Sequence, residues 1–432
     1  MTDTRETIEA VQGVDESGRR RLLNADLPTN SRRARLALDP GGSLLWLACG
    51  LVVLACRPAA TGGDGVGESG TETGDLGDLG GAAFLAPRRL VTADWLDGRL
   101  SVLDYEGFVT QGQSRAEALL AEIDLSAYAP GPLELAVTPD GHRAVVTVGP
   151  GFFQGSVGAL IGAGEVAGGG VVLVVDLLTQ EVLAELVTPE PPMGVVISAD
   201  GSTAYTANYG DDAVQGRSVS QIDLTMLELI GSVDVGARPE QLALMGDMLA
   251  VNAAGDGTVV LLDTTVTPPT FIGAVVTSED SSYPLWMQDF PEQLLMTDSQ
   301  GPAGVSLVDI ATPGTPTAPT RVDMDGFPYA IDRVGAAPEV VVLASRLTSV
   351  DLHRLMIGPL SVAEVGTPLN IGVAGFPLGV HVADGMAVFA VPGEGQVVVV
   401  DLASEEVEVR AWPSEPGPTF VAEAPAESAE SP

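Results

Sequence analysis

The apolar positions of this chain fall in short unbroken runs, not at helical spacing. LSVLD ends at Asp104, VLVVD at Asp176, VSQID at Asp223, VVLLD at Asp263, VSLVD at Asp309, LTSVD at Asp351 and VVVVD at Asp401. Such runs, rich in Val and Leu and closed by Gly, Pro or Asp, predict short antiparallel strands. Stretches such as Val397 to Val400 do not alternate with polar residues, which predicts strands buried on both faces. A second series has a proline opening an apolar run, at Pro132, Pro192, Pro239, Pro284, Pro328, Pro377 and Pro418. Three residues after each stand Leu135, Val195, Leu242, Met287, Ile331, Val380 and Val421, all apolar. Two alternating series of seven predict seven copies of one unit. Units mostly about 40–50 residues long suit four strands per copy.

The best-preserved unit reads PPMGVVISADGSTAYTANYGDDAV. Ser198-Ala199-Asp200-Gly201, Tyr205-Thr206-Ala207-Asn208 and the earlier Thr138-Pro139-Asp140-Gly141 resemble the turn and strand of the YVTN-type β-propeller repeat. The resemblance covers residues 88–422. It implies an all-β, seven-bladed β-propeller of four-stranded antiparallel blades, in a superfamily that includes lactonases and surface-layer-like proteins. The first unit supplies strands near 89–94, 98–104 and 118–124 but no inner strand, and the C-terminus supplies an orphan, Pro418 to Ala422. The ring is therefore expected to close by pairing the last strand into the first blade, which removes an open edge.

Composition places this fold. The chain has 432 residues, 58 acids against 20 basic residues, and a net charge of −38. That charge repels phosphate backbones and argues against a nucleic-acid partner. The uncharged apolar run 43–55 has the length of a signal-peptide core and follows an arginine-rich leader. It ends in Val53-Leu54-Ala55-Cys56, which resembles a bacterial lipobox with Cys56 as the lipidated residue. The expected organisation is a leader and signal peptide over 1–55, a lipidated Cys and disordered Gly/Thr/acidic linker over 56–82, the propeller over 83–423 and an acidic tail over 424–432. The protein is expected to be monomeric and tethered at a bacterial cell envelope through its lipid.

Catalytic signals are thin. Three histidines, His142, His353 and His381, are too few for the haem or copper-cluster propellers, and no nucleophile elbow, zinc-protease or phosphate-loop motif occurs. The loops at one rim and the starts of the inner strands gather Asp94, Trp95, Phe152, Phe153, Tyr209, Arg238, Trp286, Tyr329 and His381 as candidate ligand-binding residues. The two phenylalanines lie in the long insertion 149–170, between second and third strands. The leading expectation is a non-enzymatic binding or scaffold module for a protein or glycan, with no cofactor. The alternative is a lactonase-like hydrolase using rim acids and His381. Structural calcium at the acidic rim is a further option.

Overall fold

The computed structural model describes residues 87–426 apart from 96, 150–169, 212–213, 278–280, 299–302, 312–319, 347, 393 and 414–416. Cys56, the leader, the linker and the last six residues lie outside this range. Within it, seven blades of four antiparallel strands form a ring with about 4% helix, and the sixth blade adds a fifth short strand, Leu369–Asn370, beside its third.

Blade 1 holds Arg89–Asp94, Arg99–Asp104 and Leu119–Asp124, and its innermost strand is the C-terminal Phe420–Ala424. The closing pairing is antiparallel, from Arg89 opposite Ala424 to Ala93 opposite Phe420. The closing strand thus runs two residues beyond the expected Ala422, into the segment expected to be tail. The inner strands of blades 2 to 7 are Pro132–Val137, Val195–Ile197, Pro239–Met245, Ser281–Trp286, Phe327–Arg333 and His381–Ala383.

The unbroken apolar runs have a simple cause. Each blade is sandwiched between two others, so both of its faces are interior. Seven hydrophobic clusters each join two adjacent blades, and the last joins blade 7 to blade 1 through Val388, Val397, Leu90 and Leu103. In blade 6, Val340 packs toward blade 5 while Val341 packs toward blade 7. A charge at either position would be buried without a partner.

The aspartate series works as a turn device. Asp176, Asp223, Asp263, Asp309 and Asp401 end third strands, and their Oδ1 atoms accept backbone N–H bonds of 2.7–3.2 Å from the turn that follows. This is the local reason Asp suits that position. Asp351 breaks the pattern. The third strand of blade 6 is Val350–Gly358, so Asp351 opens it, pairing with Arg346 at 2.5 Å and accepting from Asn370 at 2.7 Å. His353 therefore lies inside that strand, buried, 2.6 Å from Glu364, and not after the strand as the sequence suggests.

Blade 1 also carries an element without sequence signal. Between its third and fourth strands the chain forms a π-helical turn, Glu106–Thr110, and a short α-helix, Arg115–Ala118. Phe108 packs edge-on against Trp412 of blade 7 at 6.3 Å, and Arg410 donates to Phe108 O and, at 2.7 Å, to Gln113 O. This insert fastens the closing blade to its neighbour.

Candidate binding site at the channel mouth

Four bulges build the site. The ladder between first and second strands slips by one residue between Pro132 and Glu134, Pro239 and Leu242, Ser281 and Pro284, and Pro328 and Ile331. Proline has no N–H for the ladder, and a bulge re-aims the side chains beside it. The bulged segments carry Leu133, Glu240, Gln241, Tyr283 and Tyr329, which meet on the ring axis. Gln241 Nε2 of blade 4 donates to Glu134 Oε1 of blade 2 at 2.6 Å, and Tyr329 OH of blade 6 donates to Glu240 Oε1 of blade 4 at 2.8 Å. Neither pair of blades is adjacent, so both bonds cross the channel.

Around them packs a cluster of Leu133, Met193, Tyr209, Tyr329, Phe376 and Leu378, flanked by Tyr283, Phe327 and Phe420. Together with Glu240 and Gln241 it draws on all seven blades. Tyr329 meets Tyr283 edge-on at 6.1 Å and Phe376 at 5.2 Å. In a chain only 5% aromatic, this concentration is a specific feature. Tyr283, Phe327 and Arg238 are half-buried, so they form the accessible part of the mouth.

Burial sets the charge state. It pushes the Glu134 carboxyl up to about 8, with the Glu240 charge adding, against the hydrogen bond from Gln241. Burial pushes Glu240 up to about 7, opposed by the Tyr329 hydroxyl and the positive charge of Arg238. Both acids are thus shifted toward the protonated form near neutral pH. Tyr283 and Tyr329 are raised by burial and by the acids facing them.

Arg238 stands over this mouth in the left-handed region, with φ +52°. The other non-glycine residues described there, Gln180, Leu227, Leu360, Asp384 and Glu405, occupy hairpin turns. Arg238 belongs to the connection between blades 3 and 4. Its N–H bonds Gly216 O at 2.8 Å and its carbonyl accepts from Ala254 at 3.1 Å. Its guanidinium donates to Tyr209 OH at 3.1 Å and lies 5.5 Å above that ring. Two backbone hydrogen bonds therefore hold Arg238 in a conformation that costs a non-glycine residue strain.

The far end of the channel differs in kind. His381 Nε2 lies 2.8 Å from Glu423 Oε2, and Arg88 donates to both oxygens of Glu423 at 2.6 and 2.7 Å. Burial raises the Glu423 acid, but bonds from His381 and Arg88 outweigh it and hold the group down to about 2. Asp332 accepts the Val382 N–H at 2.8 Å, and burial pushes its carboxyl up.

The candidates therefore separate. Tyr209, Arg238 and Tyr329 meet at the mouth. His381 opens the innermost strand of blade 7, and its hydrogen bond and ion pair are with Glu423, not with Glu134 or Glu240. Asp94 is wholly buried within blade 1, accepting from Thr92 and Ser101 at 2.7 and 2.6 Å. Trp95 is wholly buried beneath the turn at Gly131, where a Cβ would stand 1.9 Å from the Trp95 carbonyl oxygen. Trp286 packs between blades 4 and 5 and donates its indole N–H to Ala243 O at 3.0 Å. Burial leaves these three no face for a ligand. Phe152 and Phe153 lie outside the described residues. Among the described residues no three His, Cys, Asp or Glu side chains converge as a metal site requires.

Sequence reasoning missed Glu134, Glu240 and Gln241. Their signal was polarity one or two residues behind a series proline: Glu240 stands where other units place Leu133, Met193, Leu285 and Leu378.

Structures of known proteins share this architecture. The periplasmic gluconolactonase of Pseudomonas aeruginosa superposes with a TM-score of 0.58 at 14% identity, covering 78% of this chain and 98% of that one. A protein of unknown function from Desulfotomaculum acetoxidans gives 0.59 at 13% identity, covering 78% and 98%. At these identities the likeness is one of fold. No protein-family model and no curated protein matches the sequence.

Proposed function

We propose that this propeller is a non-enzymatic binding module, tethered at the cell envelope through Cys56, that takes a neutral glycan at its channel mouth. The observation that carries this reading is the aromatic ring around Glu134, Glu240 and Gln241. Aromatic faces stack on the apolar faces of sugars, and buried acid and amide groups hydrogen-bond hydroxyls. A chain of net charge −38 disfavours an anionic ligand. The mouth lacks a histidine, and its two acids are already engaged by Gln241 and Tyr329.

One observation favours the hydrolase reading. Glu240, at about 7, is poised for general acid–base work, with Arg238 at hand for a developing oxyanion. The neighbouring gluconolactonase makes a lactone the natural substrate to try. A pH-stat assay of the full chain on glucono-δ-lactone separates the two. Binding alone predicts no acid release above buffer, whereas turnover abolished by Glu240→Gln would establish the hydrolase. Calorimetry with neutral tetrasaccharides should give heat with the wild type and at least tenfold weaker binding for Tyr283→Ala. An absence of heat with every sugar would remove the glycan reading.

A further inference from the structure

The outermost strands of the ring are not alike. Leu119–Asp124, Glu181–Val187, Glu228–Asp234, Thr320–Asp323, Ser361–Glu364 and Glu406–Ala411 each carry at least one charge. The outer strand of blade 4, Thr270–Val276, reads TFIGAVV and carries none. It lies in an uncharged stretch from Thr264 to Ser278, in a chain of net charge −38. Phe271, Ile272 and Val276 stand 62%, 45% and 66% exposed. Among the described residues this strand pairs only with Thr258–Asp263, and its other edge presents backbone N–H and C=O groups that no described strand takes up. An edge of this kind is a template for another strand, and charges normally guard against that.

The surroundings say what would pair there. Asp263 faces Thr270 in the ladder at one end, and Asp256 precedes the third strand at the other, where Thr277 donates to Gly257 O at 2.8 Å. We propose that the outer edge of blade 4 is a docking surface for an extended segment of a partner protein, apolar in its centre and basic at both ends, which adds as a fifth strand. Backbone bonds supply the affinity, Phe271, Ile272 and Val276 supply apolar contact, and the flanking acids select lysine or arginine ends. A second copy of this chain fits less well, because it would bring acids against acids.

The test uses the full chain and a fluorescein-labelled ten-residue peptide of alternating threonine and valine with two lysines at each end. Fluorescence polarisation should show saturable binding that weakens at least tenfold between 0.05 and 0.5 M NaCl. A matched peptide with glutamate ends should bind at least tenfold more weakly. Phe271→Glu with Val276→Glu should abolish capture, while the melting temperature and the tetrasaccharide heat at the channel mouth stay unchanged. Equal binding of the two peptides, or capture undiminished in the double variant, would overturn the proposal. So would failure of the lysine peptide to bind the wild type. Sedimentation supplies the remaining outcome: a wild-type dimer that the double variant dissociates would make the occupant a second copy, against the proposal.

Discussion

Glu240 and Glu423 both sit on innermost strands of one ring, yet their carboxyls are driven in opposite directions, to about 7 and about 2. Glu240 faces a tyrosine hydroxyl among aromatic rings, with a cation only nearby. Glu423 receives a two-pronged guanidinium and a histidine. Burial penalises both, and the presence of a direct cationic partner decides the sign. The end rich in ion pairs lies at the closing seam, joining Arg88 to the C-terminal strand. The end poor in them is the mouth. Strong pairing serves the joint that must not open. Weakly engaged acids suit a surface that exchanges its partners.

The sharpest way to break this contrast is to remove the closing strand. Deleting 418–432 strips Phe420–Ala424 from blade 1 and exposes Val91, Ala93 and Leu100. Several kcal/mol should be lost against a total margin of roughly 5–15 kcal/mol, so the variant should melt far below the wild type by circular dichroism. Deleting only 427–432 should leave the melting temperature unchanged.

Glu423→Gln tests the seam alone. The neutral amide removes the carboxylate that Arg88 and His381 share and leaves Arg88 its ion pair with Asp384, at a cost of about 1–2 kcal/mol, moderated because Arg88 retains contact with water. The sign with pH follows from the lowered carboxyl. Its contribution is full above the ordinary carboxylate range and disappears as pH falls toward 2. Wild type and variant should therefore differ in urea unfolding at pH 7 and converge near pH 2.

The mouth acids predict the reverse. Glu134 and Glu240 keep their protons in the fold at pH values where the unfolded chain releases them. Their contribution is full below the ordinary carboxylate range and is lost as pH rises through about 7 and 8. Glu134→Gln should match the wild type at pH 5 and exceed it at pH 9 by on the order of 1–3 kcal/mol in urea unfolding. Arg238→Gly should have the smallest effect on stability, raising it by about 0.5–1 kcal/mol as the left-handed backbone relaxes, while weakening tetrasaccharide binding.

The fold was legible because every blade repeats the same two demands. A strand between two neighbours must be apolar on both faces, and a hairpin needs a turn cap, so Val397–Val400 and Asp401 announce themselves without context. Blade 6 misled because Val350-Asp351 looks like the end of a run, although the strand extends through His353 to Gly358. The mouth was legible only in part. Tyr209, Arg238 and Tyr329 lie near strand ends, where loops and inner strands place ligand groups. Trp95 and Trp286 lie near strand ends too, but both are buried, Trp286 between blades 4 and 5. Whether a strand-end residue turns to the axis depends on a one-residue bulge, and nothing local to Glu240 or Gln241 encodes which way that bulge points.

Hydrogen–deuterium exchange of the full chain, with and without a saturating neutral tetrasaccharide that calorimetry shows to bind, tests the mouth as the ligand site most directly. The account predicts slowed exchange in 235–238 and 325–329, the connections carrying Arg238, Phe327 and Tyr329. It predicts no change at His381–Ala383 or along the outer strand Thr270–Val276. Protection confined to either of those segments, with 235–238 and 325–329 unaltered, would contradict it.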